Sequence, residues 1–295
     1  MANVRARTLL CPVCRHPSHL EQRCKDADLY RCNECDHCFS DPESIRAFET
    51  YGTDYFEKHW FENENVSLFK SISDLIVNLK PNASVVDVGC GNGAFLRHLR
   101  RNCSQLCLVG IDLSKNTPQD GIEFLQGDFL HTSIARQFDF VVSLAVIEHV
   151  LDVRAFMARM HALCAPGGSV IVMTMNDQSL LYRTARFLKR LGLGMAADQL
   201  YSSHHVNHFN VRSLRRLATS VGFEPEATLL HNIPMAAVDV SSRSRIVSTI
   251  CTAGVWGIFT ISRFTRSTYL QTVICRRKAD AASPQERIAV RGGVF

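Results

Sequence analysis

Between Ser84 and Met175 the chain alternates short apolar runs with stretches whose apolar residues recur every three or four positions. The runs near 84–88, 107–112, 138–143 and 169–175 are too short for helices and read as buried strands. Ala94–Arg101 and Asp152–Leu163 carry the helical period between them. Such alternation predicts an α/β fold, a parallel sheet with right-handed crossovers. Upstream, Val66, Phe69, Ile72, Ile76 and Leu79 predict a helix from Glu62 to Leu79, halted by Pro81. Downstream, Asn210 is placed to cap a helix bearing Leu214, Leu217, Ala218 and Val221, which ends at Gly222.

Two segments interrupt this rhythm, at 178–208 and 240–266. Gln178–Met195 sets Leu181, Ala185, Leu188 and Leu191 at helical spacing with basic residues between them. Ile246–Ile261 holds no formal charge and is flanked by Arg243, Arg245, Arg263 and Arg266. A spanning helix needs about 20 apolar residues, and this run contains Ser, Thr and two glycines, so a buried helix or pocket cover is the first expectation. Contact with a membrane interface through 246–261 is the alternative.

The most informative run is Ser84-Val85-Val86-Asp87-Val88-Gly89-Cys90-Gly91-Asn92-Gly93-Ala94-Phe95. A strand there breaks into a glycine turn and opens a helix, so bare backbone can approach a ligand and the helix N-terminus faces something anionic. Asp112, ending the next apolar run, is placed to accept hydrogen bonds from a ribose diol. Gly89, Gly91 and Ala94 satisfy the dinucleotide pattern, which is weak alone. Asp87 and a third glycine at Gly93 argue against a pyrophosphate there. S-adenosylmethionine has no phosphate, and its ammonium and sulfonium suit a nearby carboxylate.

At these residues the chain resembles the class I S-adenosylmethionine-dependent methyltransferases, and the resemblance continues in order. Gly110-Ile111-Asp112-Leu113-Ser114 resembles their ribose segment, and Gly127-Asp128-Phe129 the segment meeting adenine, with Asp128 on its exocyclic amine and Phe129 against its face. Phe138–Ser143 resembles the fourth strand, Leu163–Gly168 the loop before the fifth, and Asn207-His208-Phe209 with Gly222-Phe223 the late part of the pattern. The resemblance implies a Rossmann-like, seven-stranded, mostly parallel sheet with helices on both faces, ending in a hairpin near 224–230 and 269–277. It places the cofactor on Asp87, Gly89, Cys90, Gly91, Gly93, Asp112, Leu113, Asp128, Phe129 and Ser143. It also brings in Tyr51 and Tyr55, from the segment preceding the glycine turn.

Cysteines define the other module. Cys11-Pro12-Val13-Cys14 and Cys32-Asn33-Glu34-Cys35 form two knuckles whose spacing lets four thiolates converge on one tetrahedral ion. The expectation is a closed, structural zinc held by Cys11, Cys14, Cys32 and Cys35. Cys24, Cys38, His16, His19 and His37 are second choices as ligands. About forty residues have little core of their own, so metal would supply most of the folding energy. The expected organisation is a zinc-ribbon-like module at 1–42, a helical linker at 43–80, a methyltransferase domain at 81–278 and a loose tail at 279–295. Twelve cysteines with no secretory signal at the start suit a reducing, cytoplasmic setting, with peripheral membrane attachment as an addition. A net charge of +5 neither demands nor excludes nucleic acid.

Methyl transfer is an in-line displacement, so positioning carries much of the catalysis, and a base is needed only for an acceptor that must lose a proton. Chain position offers Glu148, His149 and the cluster His204-His205-Val206-Asn207-His208 as bases, with His149, His204 and His208 as candidate catalytic groups. A solvated acid in a first helical turn is the other reading of Glu148. Ile147-Glu148-His149 also resembles the Glu-x-x-Glu-His metal site of ubiquinone-pathway O-methyltransferases, but Ala145 stands where the first acid would be. The expected acceptor is oxygen or carbon of a small molecule: a sugar, a lipid-linked compound or a secondary metabolite. A Cys-Pro-x-Cys knuckle also resembles rRNA guanine methyltransferases, which makes an RNA base the alternative. A binding module that has lost its cofactor is disfavoured by the intact set of acids and glycines.

Overall fold

The structure, a computed structural model, describes residues 8–45, 66–116, 119–238 and 245–279. Tyr51, Tyr55, the start of the linker helix and the tail beyond 279 lie outside the described residues.

Five parallel strands form the centre of the molecule: β5 (Ser84–Val88), β6 (Cys107–Asp112), β7 (Ile122–Gln126), β8 (Phe138–Leu144) and β9 (Cys164–Met175). An antiparallel hairpin, β11 (Phe223–His231) and β12 (Leu270–Arg277), extends the β9 edge. The seven strands lie in the order β11-β12-β9-β8-β5-β6-β7. Strand order therefore reverses at β5, between β6 and β8, and open α/β sheets bind ligands at the carboxyl ends flanking that switch. β9 begins earlier than the apolar run suggests, because Cys164 already pairs with Phe138 before the register shifts.

Alternation along each strand divides the core into two layers. Val86, Val88, Val109, Ile111, Val141 and Val172 face one layer, which α3 (Val153–Leu163) and α6 (Val211–Ser220) cover. Val85, Leu108, Phe140, Val142, Ile171 and Met173 face the other, covered by α1 (Val66–Leu79), α2 (Ala94–Asn102) and α4 (Leu180–Arg190). Asn210 caps α6 reciprocally with Ser213, as its position predicts.

The cysteine module is a second sheet of β1 (Leu9–Leu10), β2 (Pro17–Arg23), β3 (Asp28–Cys32) and β4 (Cys38–Ser40). Its fifth strand, β10 (Asn207–His208), comes from far along the chain and pairs antiparallel with β4, Asn207 opposite Phe39 and His208 opposite Cys38. The module has no separate core: Cys11, Val13, Tyr30, Cys32, Cys35 and Phe39 belong to the same packed layer as Val86 and Phe156. At the junction, Asp177 is 1% exposed and meets Arg31 at 2.9 Å, Arg186 at 3.0 Å and the Tyr201 hydroxyl at 2.5 Å. Against the burial that would raise it, Arg31 and Arg186 hold the Asp177 carboxyl below its ordinary range.

The second interruption forms α7 (Arg245–Thr265), between the hairpin strands. It is not a buried helix. Among its described side chains only Phe259 and Ser262 are buried, because α7 packs on α4 and on Asn232 and Tyr269 at the ends of the hairpin strands and turns its other side to solvent.

Candidate functional site

The turn after β5 needs glycine for two reasons. Gly89, Gly91 and Gly93 have φ of 70°, 52° and 81°, in the left-handed region. A Cβ at Gly89 would stand 2.4 Å from a Val146 methyl, and one at Gly93 2.8 Å from Phe124 Cζ. Gly93 is also the N-cap of α2 and carries no side chain to cover the helix end, although Asn92 Oδ1 accepts from Ala94 N at 3.0 Å. The turn hangs from β6 through Gly89 N and Cys90 N, which both donate to Ile111 O.

Two carboxylates flank it. Asp87 is 3% exposed and its Oδ1 has no hydrogen-bond partner among the described residues. Burial, with the charge of Asp112 adding to it, pushes Asp87 up to about 8. A buried acid with an idle oxygen beside an open glycine turn suits a cationic ligand. Asp112 already accepts from Gly91 N at 2.8 Å and from Ser114 N and Oγ at 2.9 and 2.6 Å. Those bonds fix its orientation toward the turn. Leu113 beside it is 61% exposed.

The adenine candidates are placed differently from one another. Asp128 is exposed, accepts from Leu130 N and His131 Nδ1, and is held below its ordinary value first by the Leu130 amide. Phe129 is 8% exposed and packs edge-on against Phe156 at 5.2 Å, with the Arg159 guanidinium 5.3 Å over its ring. Ser143, on β8, is fully buried with an unpartnered hydroxyl.

Beyond β8 the chain passes through Ala145, whose φ is +58°, into a short turn carrying Glu148 and His149. Glu148 is not a solvated acid. It is 2% exposed, accepts from Thr174 Oγ1 at 2.8 Å, and is pushed up to about 7 by burial. His149 Nδ1 bonds the His204 carbonyl at 2.7 Å and its ring lies 4.8 Å from that of His205. Burial lowers His149 to about 4 and takes His205 well below its ordinary value. Donor atoms of Glu148, His149 and His205 all lie within 4.8 Å of one another, close enough to share a cation. Sequence position offers Glu148 as one base among several and does not distinguish His205 within its cluster; folding brings both beside His149. His204 joins them through its carbonyl. His208 does not: it sits on β10, 1% exposed, edge-on to Tyr201 at 4.7 Å, and burial takes it down to about 3.

The four knuckle cysteines converge. Cys11–Cys35, Cys14–Cys32 and Cys14–Cys35 sulfurs stand 3.6, 3.4 and 3.4 Å apart. Zn–S bonds of about 2.3 Å in a tetrahedron would separate sulfurs by about 3.8 Å, so the cluster fits zinc with small adjustment. Glu34 N and Cys35 N point at Cys32 Sγ, and against burial these amides hold that thiol below its ordinary value. Cys24, Cys38, His16, His19 and His37 are outside the cluster.

Comparison with known proteins agrees with this geometry. A family model described as "Methyltransferase domain" matches residues 58–228. An uncharacterised methyltransferase of Mycobacterium tuberculosis is 31% identical over 122 residues, which cover 38% of this chain and 60% of that protein. The ubiquinone biosynthesis O-methyltransferase of Rhodopseudomonas palustris is 32% identical over 102 residues, 31% of this chain and 39% of that protein. The chain thus spans less than two thirds of the curated relatives it matches. Among solved structures, a chain from the complex between the Haloferax volcanii Trm112 methyltransferase activator and a methyltransferase superposes with a TM-score of 0.53 at 15% identity, covering 77% of this chain and 98% of that one. Phosphoethanolamine N-methyltransferase 2 of Haemonchus contortus, in complex with S-adenosyl-L-methionine, gives 0.52 at 14% identity, covering 80% and 61%. With the family model spanning more than half of the sequence over a sheet of this order, the chain belongs to the methyltransferase domain family.

Proposed function

We propose that the chain is an S-adenosylmethionine-dependent methyltransferase acting on oxygen or carbon of a small molecule (a sugar, a lipid-linked compound or a secondary metabolite), with a structural zinc on Cys11, Cys14, Cys32 and Cys35. The observation that carries this reading is the juxtaposition of a glycine turn with a buried Asp87, whose Oδ1 is unpartnered among the described residues, and a fixed Asp112 at the switch point of the sheet. Bound there, the cofactor would supply an electrophilic methyl already activated by the sulfonium charge.

The remaining work falls to the protein. Asp87 and the turn after β5 would hold the amino-acid end, Asp112 the ribose side, and Asp128 the exposed rim. Glu148 and His149 approach from the next carboxyl end along the sheet, where an acceptor would stand. At pH 7 His149 is neutral, and with its Nδ1–H donating to the His204 carbonyl the lone pair that would accept a proton lies on Nε2. Glu148, with its value near neutrality, is poised to exchange one. Neutral, buried side chains suit a hydroxyl acceptor better than a cationic one.

Calorimetry with S-adenosylmethionine and NAD tests the cofactor. Affinity for S-adenosylmethionine should be micromolar, on the order of −8 kcal/mol, and Asp112→Ala should weaken it by about 1–3 kcal/mol. Tighter binding of NAD would overturn the assignment. Salt-sensitive retention of RNA in place of small-molecule methylation would favour the RNA alternative.

A further inference from the structure

We propose that α7 is an interfacial anchor that seats the carboxyl edge of the sheet on an anionic lipid bilayer. The helix has two unlike sides. Toward the sheet, Phe259 stacks on Tyr269 at 6.1 Å, and Asn232 Nδ2 donates to Phe259 O and Ser262 Oγ. Asn232 Oδ1 accepts from Tyr269 N, so the helix is tied to both strands of the hairpin. Away from the sheet, Ile250, Ala253, Trp256, Ile261 and Phe264 form an exposed apolar side. Ile250, Trp256 and Phe264 are 66%, 62% and 86% exposed. Of the 19-residue stretch Val247–Thr265, only 11% is buried. Isolated exposed apolar residues are ordinary; a helix of 21 residues, about 32 Å long, with one side of this composition is not.

Charge selects the occupant. From Val240 to Ala279 the chain contains no Asp or Glu, yet it has arginines at 243, 245, 263 and 266, beyond both ends of the uncharged run. Arg263 and Arg266 are exposed. An apolar stripe bounded by cations, with Trp256 on it, matches a headgroup layer over acyl chains. The helix α4 packed against α7 repeats the composition: Phe187 and Leu191 are 59% and 63% exposed beside exposed Arg183 and Arg190.

Topology selects the mode. α7 is long enough to cross a bilayer core of about 30 Å. Both ends of the insertion, however, return to one place, since His231 and Leu270 are paired neighbours in the hairpin. A crossing helix would oblige 232–244, which include Arg243 and are too few for a second spanning helix of about 20 residues, to carry the chain back through hydrocarbon. The side docked on Tyr269 would also have to leave the protein. α7 therefore lies in the plane of the interface. Leu270 pairs with Met175 at the carboxyl end of β9, and Met175 follows the Thr174 that holds Glu148. The anchor thus brings the carboxyl edge, with Glu148 and His149, toward the lipid.

Flotation of the full chain with phosphatidylcholine–phosphatidylglycerol vesicles tests this, alongside pure phosphatidylcholine vesicles. The protein should float with the anionic vesicles, less so with added salt. Ile250→Glu with Trp256→Glu and Phe264→Glu should reduce partitioning roughly a hundredfold while melting temperature stays unchanged. A milder Trp256→Ser variant should lower binding in the same direction. In a Trp60→Phe background, Trp256 fluorescence should shift to the blue on vesicles and be quenched by shallow brominated lipids more than by deep ones. Absence of flotation, full retention by the triple variant, or deeper quenching that marks a crossing helix would each overturn the proposal. So would a dimer that forms without vesicles and disappears in the triple variant, since a second copy would then own the face. S-adenosylmethionine binding measured on the same samples is independent of all these readouts, so failure of the anchor and failure of the methyltransferase reading are told apart.

Discussion

Asp87→Asn should stabilise the ligand-free protein at alkaline pH while weakening the cofactor. Asp87 is enclosed at 3% exposure and its burial, with Asp112 second, raises it from 3.8 to about 8. Between those values the folded chain holds a proton that the unfolded chain has released. Unfolding therefore releases a proton, and stability falls as pH rises through that window. At 1.36 kcal/mol per unit, a shift of about 4 units caps the loss at about 6 kcal/mol, a large part of the stability of an ordinary domain. Asparagine keeps the size and cannot ionise, so it removes the loss. Urea unfolding followed by circular dichroism, from pH 5 to pH 8.5, should show the variant gaining steadily on the wild type. A cationic ligand reverses the balance by favouring the ionised acid. Binding of S-adenosylmethionine to the wild type at pH 7 should then release close to one proton, read from calorimetry in buffers of different ionisation enthalpy. Asp87→Asn should release none and bind more weakly. A stability difference that is flat in pH, or binding without proton release, would refute the reasoning.

The zinc site and the catalytic candidates give two further tests. Because β10 completes the module's sheet, and His37 Nε2 bonds Asn207 Oδ1 at 3.1 Å, chelating zinc should expose amides at 204–210 to hydrogen exchange together with those of 9–40. Protection at 204–210 unchanged while 9–40 melts, or elemental analysis without zinc, would count against the coupling and the metal respectively. For a hydroxyl acceptor, His149→Ala or Glu148→Gln should lower turnover about 10²–10⁴-fold with cofactor affinity nearly intact. His204→Ala, which keeps its carbonyl, should do far less, and His208→Ala should act on stability. Near-normal turnover in both His149→Ala and Glu148→Gln would leave positioning as the whole of the catalysis.

Much of this protein is set by neighbours in sequence. The strand–glycine–helix transition at 84–95 is local chemistry, since φ above zero and a close backbone approach each demand glycine where they occur. The knuckles are equally local, because two residues between thiolates already turn both toward one point. The cap at Asn210 and the helix periods are short-range too, whereas the hairpin, whose strands lie on either side of α7, is expected only from the family resemblance. Other features depend on residues far apart, and no local pattern carries them. β10 is two residues long, and its pairing with β4 spans about 170 positions, so the joining of module and domain into one core has no periodicity to betray it. His149 meets His205 only because strand order puts β8 beside β9 and folds the later loop over its end. Glu148 looks like a solvated acid by position, and only Thr174 and the surrounding packing make it a buried one. Burial is likewise what an apolar run promises for α7, but α4 and the ends of the hairpin strands cover only one side of it. Sequence determines which segments are apolar, flexible or metal-binding; the order in which strands assemble decides what each finally faces.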